Sequence, residues 1–261
     1  MRTSSFAYTF VMTNSANVSL RCTARTTAIS ALSLVVAYGS LPAHAASLTT
    51  GTPSGASAGQ RVSSEVNDSR GDLEALLAVE DATEAIAEGE TTGATAVTDA
   101  RKAVSLWPSV RATLRQNGAT KIQVVAVDGA IASLRRDLRS GKPLMRDANE
   151  VTGSLAPLFK IAGDKVPSGI HYLDYLGRSI ALDVRGSDWA RAQRDVHFVK
   201  LQWNAARPEV ESRRGGPAAA FEFDRAARTI SSAVASNSET KTRAATKMIG
   251  AAVDTVEKVY S

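Results

Sequence analysis

The chain has 261 residues, 31 Lys and Arg against 26 Asp and Glu, 44% hydrophobic side chains and one cysteine. That length buries enough apolar surface to fold without the staples or metals that domains need below about 40 residues. A single cysteine excludes a disulfide framework and a Cys-x-x-Cys-His haem attachment. The formal charge of +5 makes a weak case for nucleic acid, because part of it comes from an N-terminal segment that reads as discarded.

That segment is residues 1–45. Arg21 and Arg25 precede an apolar run from Ala28 to Tyr38, followed by Gly39, Pro42 and the small-residue site Ala43-His44-Ala45. Basic, apolar and small-x-small in that order is the secretory pattern, with cleavage expected after Ala45. The run is shorter than the roughly 20 apolar residues a membrane span needs. Cys22 lies upstream of it, away from the cleavage site, which argues against a lipid anchor. The expected destination is the periplasm or the exterior, with either Met1 or Met12 as the start. Arg2, Arg21 and Arg25 leave with the signal, so 28 basic and 26 acidic groups remain, a net of +2. No nucleic-acid partner and no transmembrane segment are expected of the remainder. Residues 46–68, small and polar at their start, read as a disordered linker.

From about residue 70 the apolar pattern has helical periodicity, and nothing alternates with period two over a useful length. Eight helices are expected, at about 72–88, 95–116, 120–139, 144–162, 169–185, 188–211, 218–236 and 239–260. Gly89 and Gly93 break the first, Asn117-Gly118 stops the second, and Asp188 caps the sixth. Pro108 and Pro157 fall inside helices and are expected to kink or interrupt them. Gly163 to Gly169, with Pro167 inside, is the expected hinge between halves.

The halves match at an offset of 96 residues. Ala96, Ala100, Ala103, Trp107, Val110 and Leu114 follow the three-and-four spacing of a packed seam. So do Trp189, Ala192, Val196, Val199, Trp203, Ala206 and Val210. Trp107 pairs with Trp203, Arg111 with Arg207, Asp99 with Asp195 and Asp128 with Asp224. In the third helices Val127, Ile131, Leu134 and Leu138 pair with Phe223, Ala227, Ile230 and Val234. The fold class expected is therefore all-α: two tandem four-helix units of antiparallel helices, 69–164 and 165–261, related by an internal repeat of about 96 residues. Each tryptophan should be a core anchor whose indole N–H needs one partner.

Charge is uneven along the first half. Nine acidic residues lie between Glu65 and Glu90, and ten basic ones between Arg101 and Arg146. The expectation is an acidic first helix beside basic neighbours. Glu80, Glu84 and Glu88 stand one above another, a ladder read as a solvated face, with a hard-cation site as the alternative. No His-Glu-x-x-His pair, phosphate-cradling loop or Gly-x-Ser-x-Gly elbow is present. The protein reads as a non-enzymatic helical bundle that binds a protein or envelope partner or serves as a structural module, with no cofactor.

The alternative rests on Gly169-Ile170-His171-Tyr172-Leu173-Asp174. At i and i+3 the imidazole and the carboxylate share a helical face and can ligate one metal, or the carboxylate can orient the ring. These residues weakly resemble the Gly-x-His-x-x-Glu motif of the imelysin-like exported bacterial proteins, with aspartate in place of glutamate. The resemblance implies helical-bundle halves, an association with iron uptake, a transition metal such as iron or zinc, and His171 and Asp174 as metal ligands.

Overall fold

The computed structural model describes the backbone from Ala58 and the side chains from Gly71, both through Ser261. The expected signal, its cleavage site and the linker up to residue 57 lie outside the described residues. The described residues fall in one compact unit. Among the described residues there are eight α-helices, one closing 3-10 turn and no strand: α1 (Ala58–Glu88), α2 (Gly93–Gln116), α3 (Lys121–Ser140), α4 (Met145–Phe159), α5 (Ser168–Arg185), α6 (Trp189–Ser212), α7 (Gly216–Ala235), α8 (Glu239–Glu257) and the turn Lys258–Tyr260. No described helix is long and apolar enough to cross a membrane.

Seven helices start or stop within about three residues of expectation, because the stop signals are local. Gly89, Gly118 and Gly141 all adopt positive φ, the left-handed conformation that closes a helix and costs a side chain most. Thr120 and Gln123 form a reciprocal capping box at the start of α3, and the Asp188 carboxylate accepts the Arg191 N–H at the start of α6. The exception is α1, which reaches back to Ala58 through part of the expected linker. Ala58, Gln60, Arg61 and Glu65 are good helix formers, and extending an established helix costs far less than starting one. The prolines are a second difference. Pro108 and Pro157 lie inside continuous helices, as does Pro208 in α6. All three are exposed, so water can satisfy the carbonyl whose amide donor each removes.

Successive helices pack on one another, α1 also packs on α4, and α5 on α8. Each run of four thus closes on itself around its own apolar cluster. One contains Leu76, Trp107, Leu134 and Phe159; the other contains Leu176, Trp203, Phe223 and Ile249. The seam residues expected on α2 are all buried. On α6 Trp189 and Ala206 are only partly so, packed against the second cluster. The two fours meet along α4 and α5, which run antiparallel, since Arg146 reaches Asp183 at one end and Phe159 stacks on His171 at the other. At the crossing a Cβ on Gly153 would stand 2.6 Å from the Tyr175 ring, so only glycine allows this approach.

Both tryptophans find the same kind of partner. The Trp107 Nε1–H donates to Asp128 at 2.8 Å, and Arg111 pairs with the other oxygen of that carboxylate at 3.1 Å. In the second four the Trp203 Nε1–H donates to Asp224 at 2.7 Å, with Arg207 at 3.1 Å. The arginines therefore reach over to grip the carboxylate that satisfies the indole. Removing that acceptor leaves a buried N–H unpaired, at a cost of about 1–3 kcal/mol. Asp128→Ala and Asp224→Ala should each lower the unfolding free energy by about that amount in urea denaturation. The two losses should add in the double variant because the trios sit in separate clusters.

Candidate functional site

The site grows from one side of α5, where His171, Asp174 and Arg178 follow one another at steps of three and four. Arg178 is 8% exposed, and all three of its guanidinium nitrogens are used. Nε donates to Asn149 Oδ1 at 3.2 Å and Nη2 to Thr152 Oγ1 at 3.5 Å, both on α4. Nη1 donates to Glu84 at 2.5 Å and Glu88 at 3.4 Å on α1, and to Asp174 one turn back on its own helix. One carboxylate oxygen from each of Glu84, Glu88 and Asp174 lies within 4.8 Å of the others, close enough for the three to hold a metal ion together.

His171 begins the adjoining part of the site. Its ring stacks on Phe159 with centroids 4.1 Å apart. Its Nε2 lies 2.9 Å from Asp164 in the connection between α4 and α5, and its Nδ1 lies 3.8 Å from Glu257 on α8. Asp164 also accepts the Val166 N–H at 3.0 Å. The expected hinge is thus tied down at its centre.

Six carboxylates therefore surround one guanidinium and one imidazole, and their titration reflects burial first and that imbalance second. Burial, with the Asp174 and Glu88 charges behind it, pushes Glu84 up to about 7 against the pull of Arg178. Burial likewise pushes Glu257 up to about 7, with Asp174, Asp254 and Asp164 adding to it and His171 opposing. Glu80, a turn before Glu84, is raised well above the usual range, first by burial and then by Glu84. Glu88 is raised too, first by burial and then by Asp174 and Glu90, against the pull of Arg178. Asp164 is the opposite case: burial would raise it, but the bonds from His171 and the Val166 N–H hold it below the ordinary value. Burial alone would lower Arg178, yet Asp174, Glu84 and Glu88 keep it charged.

A second polar cluster lies on another face of α5. Asp183 is fully buried and takes the Arg146 Nη1 at 2.8 Å, with the Arg191 Nε 3.5 Å from its other oxygen. Arg191 also reaches Glu150 at 3.0 Å, and the Ser179 hydroxyl donates to Asp195 at 2.6 Å. Burial raises Asp195 to about 6; the Ser179 bond opposes that rise and the nearby Asp183 carboxylate reinforces it.

Of the residues singled out in the sequence, His171 and Asp174 do share a face of α5, but each takes other partners, His171 bonding Asp164 and Asp174 bonding Arg178. The glutamate ladder is more than a solvated face. Glu84 and Glu88 are bound by an arginine of the second four, where basic neighbours within the first had been expected. Arg178, Asp164, Glu257 and Asn149 were missed. Only Arg178 left a local trace, its i+4 spacing from Asp174. Comparison with known proteins finds no matching family model, no matching curated protein and no matching solved structure.

Breaking a buried ion pair from one side costs about 3–5 kcal/mol, so Arg178→Met should lose about that much stability in denaturant titration at neutral pH. Asp195 gives a cleaner pH test. Folded, it holds its proton up to about pH 6, whereas unfolded it releases it near the ordinary carboxyl value of about 4. Its contribution is full below pH 4 and lost as pH rises toward 6. Asp195→Asn should therefore be more stable than the wild type at pH 7 and gain nothing at pH 4, read as the difference in melting temperature at each pH.

Proposed function

We propose that the protein is an exported, non-enzymatic helical-bundle protein of the bacterial cell envelope, built from two copies of a four-helix unit, that takes a metal cation at the Glu84–Glu88–Asp174 cluster. The observation that carries this reading is the approach of those three carboxylates, two from α1 and one from α5, to within 4.8 Å of one another. An all-oxygen set of this kind favours hard cations such as iron, manganese, calcium or magnesium over soft thiolate-seeking metals. His171 stands one turn from Asp174 on the same helix, in keeping with the weak imelysin-like resemblance of Gly169-x-His171-x-x-Asp174, though its nitrogens face Asp164 and Glu257. The export reading rests on residues 1–45 alone, and places the protein in the periplasm or outside the cell.

The duplication is supported by the paired trios, Trp107–Asp128–Arg111 and Trp203–Asp224–Arg207, which keep the same partners 96 positions apart. The units proposed are residues 69–164 and 165–261.

A second reading has its own observation. Arg178 Nη1 already bonds the three carboxylates a metal would use. On that reading the guanidinium is the permanent cation and the cluster is a clasp between α1 and α5. A cation can enter only if Nη1 gives way.

Titrating the protein with iron, manganese, zinc and calcium separates the two. The cation reading expects stoichiometric binding by calorimetry and a raised melting temperature, both lost in Asp174→Asn and Glu84→Gln while circular dichroism is unchanged. No binding and no thermal shift with any of the four ions would leave the clasp.

A further inference from the structure

We infer that the groove between α2 and α3 is a docking surface for an anionic lipid membrane. The inference is independent of the cation reading. The Arg111–Asp128 and Trp107–Asp128 bonds identify the flank of each helix that faces the other. Helical spacing puts Arg101, Arg111 and Arg115 on that flank of α2, and Lys121, Asp128, Arg135 and Arg139 on that flank of α3. All of these basic side chains are exposed except Arg111, which is half-buried. Six cations thus line a groove that holds one carboxylate, and Arg111 already neutralises it.

The second four shows that the scaffold does not require these charges. There the trio is kept, so Arg207 stands where Arg111 does. The positions 96 residues after Arg101, Arg115, Lys121, Arg135 and Arg139 are His197, Glu211, Pro217, Ser231 and Ala235. The basic lining is therefore an addition to one groove of the pair, and a surface of unbalanced positive charge attracts an anionic partner.

Two exposed apolar side chains decide the kind of partner. Ile122 is 65% and Val125 55% exposed, both on the outward side of α3 near its start, next to the basic flank. Exposed aliphatic side chains gain most from a partner with extended apolar groups beside its anions, and a bilayer offers acyl chains beneath its phosphates. Basic residues beside exposed aliphatic ones are the composition of a helix that lies on an anionic membrane surface.

The test is co-sedimentation of the full chain with vesicles of phosphatidylglycerol and phosphatidylcholine in equal parts, against phosphatidylcholine alone. Wild type and variants share residues 1–57, so the differences among them report on α2 and α3. Binding should require phosphatidylglycerol and fall with added salt. Arg135→Gln with Arg139→Gln should weaken it about thirtyfold. Should that pair disturb the circular dichroism spectrum, Arg101→Gln with Arg115→Gln is the equivalent test on α2. Ile122→Ser with Val125→Ser should weaken binding at low and high salt alike, and Arg225→Gln on α7 should leave it unchanged. Equal binding to both vesicle types, basic-residue variants that bind like wild type, or retention on heparin without vesicle binding would each overturn the inference.

Discussion

Burying a guanidinium costs several kcal/mol unless its donors are met, and the structure meets those of Arg178 from three helices at once. Asn149 and Thr152 come from α4, Glu84 and Glu88 from α1, and Asp174 from α5 itself. Apolar packing between α4 and α5 does not by itself set their register, because the hydrophobic effect has no direction. A planar fork with fixed bond directions does. Asn149 is committed in turn, its amide donating to the Tyr175 carbonyl at 3.3 Å, and Thr152 donates back to the Asn149 carbonyl at 2.8 Å. Sliding one set of four past the other would break this chain at several points. The site and the junction of the two fours are therefore one structure.

The helices were legible in the sequence because what sets them is local. Period, capping residues and glycine stops all act within a few positions, and the seam of α2 is buried residue for residue. The start of α1 was not legible: a stretch of good helix formers with few apolar positions has no signal of its own, and its helicity is borrowed from the packed part downstream. The trios were half legible. The pairing of Trp107 with Trp203 and of Asp128 with Asp224 was on the page, but that each aspartate accepts from its tryptophan depends on the crossing of two helices. The site was least legible. Glu84 and Arg178 are 94 residues apart in the chain, and no spacing rule reaches that far. His171 was read with the aspartate three positions on, while its ring turns to one seven positions back, in a loop whose own bonds present that carboxylate.

The balance of charge at the junction bears on what it is for. A clasp between α1 and α5 needs one guanidinium and one or two carboxylates, and each carboxylate beyond that number sets repulsion against whatever bond it makes. Here Glu80, Glu84, Glu88 and Asp174 face Arg178, and Glu257 and Asp164 face His171. The raised affinity of Glu84 and Glu257 for protons, up to about 7 in each, comes first from their burial, with neighbouring carboxylates adding to it against the pull of Arg178 and His171. Each such group costs stability near neutral pH, and carboxylates that are costly when ionised are those with the most to gain from an added positive charge. That excess of carboxylates over cations is a feature on which the proposed cation site rests.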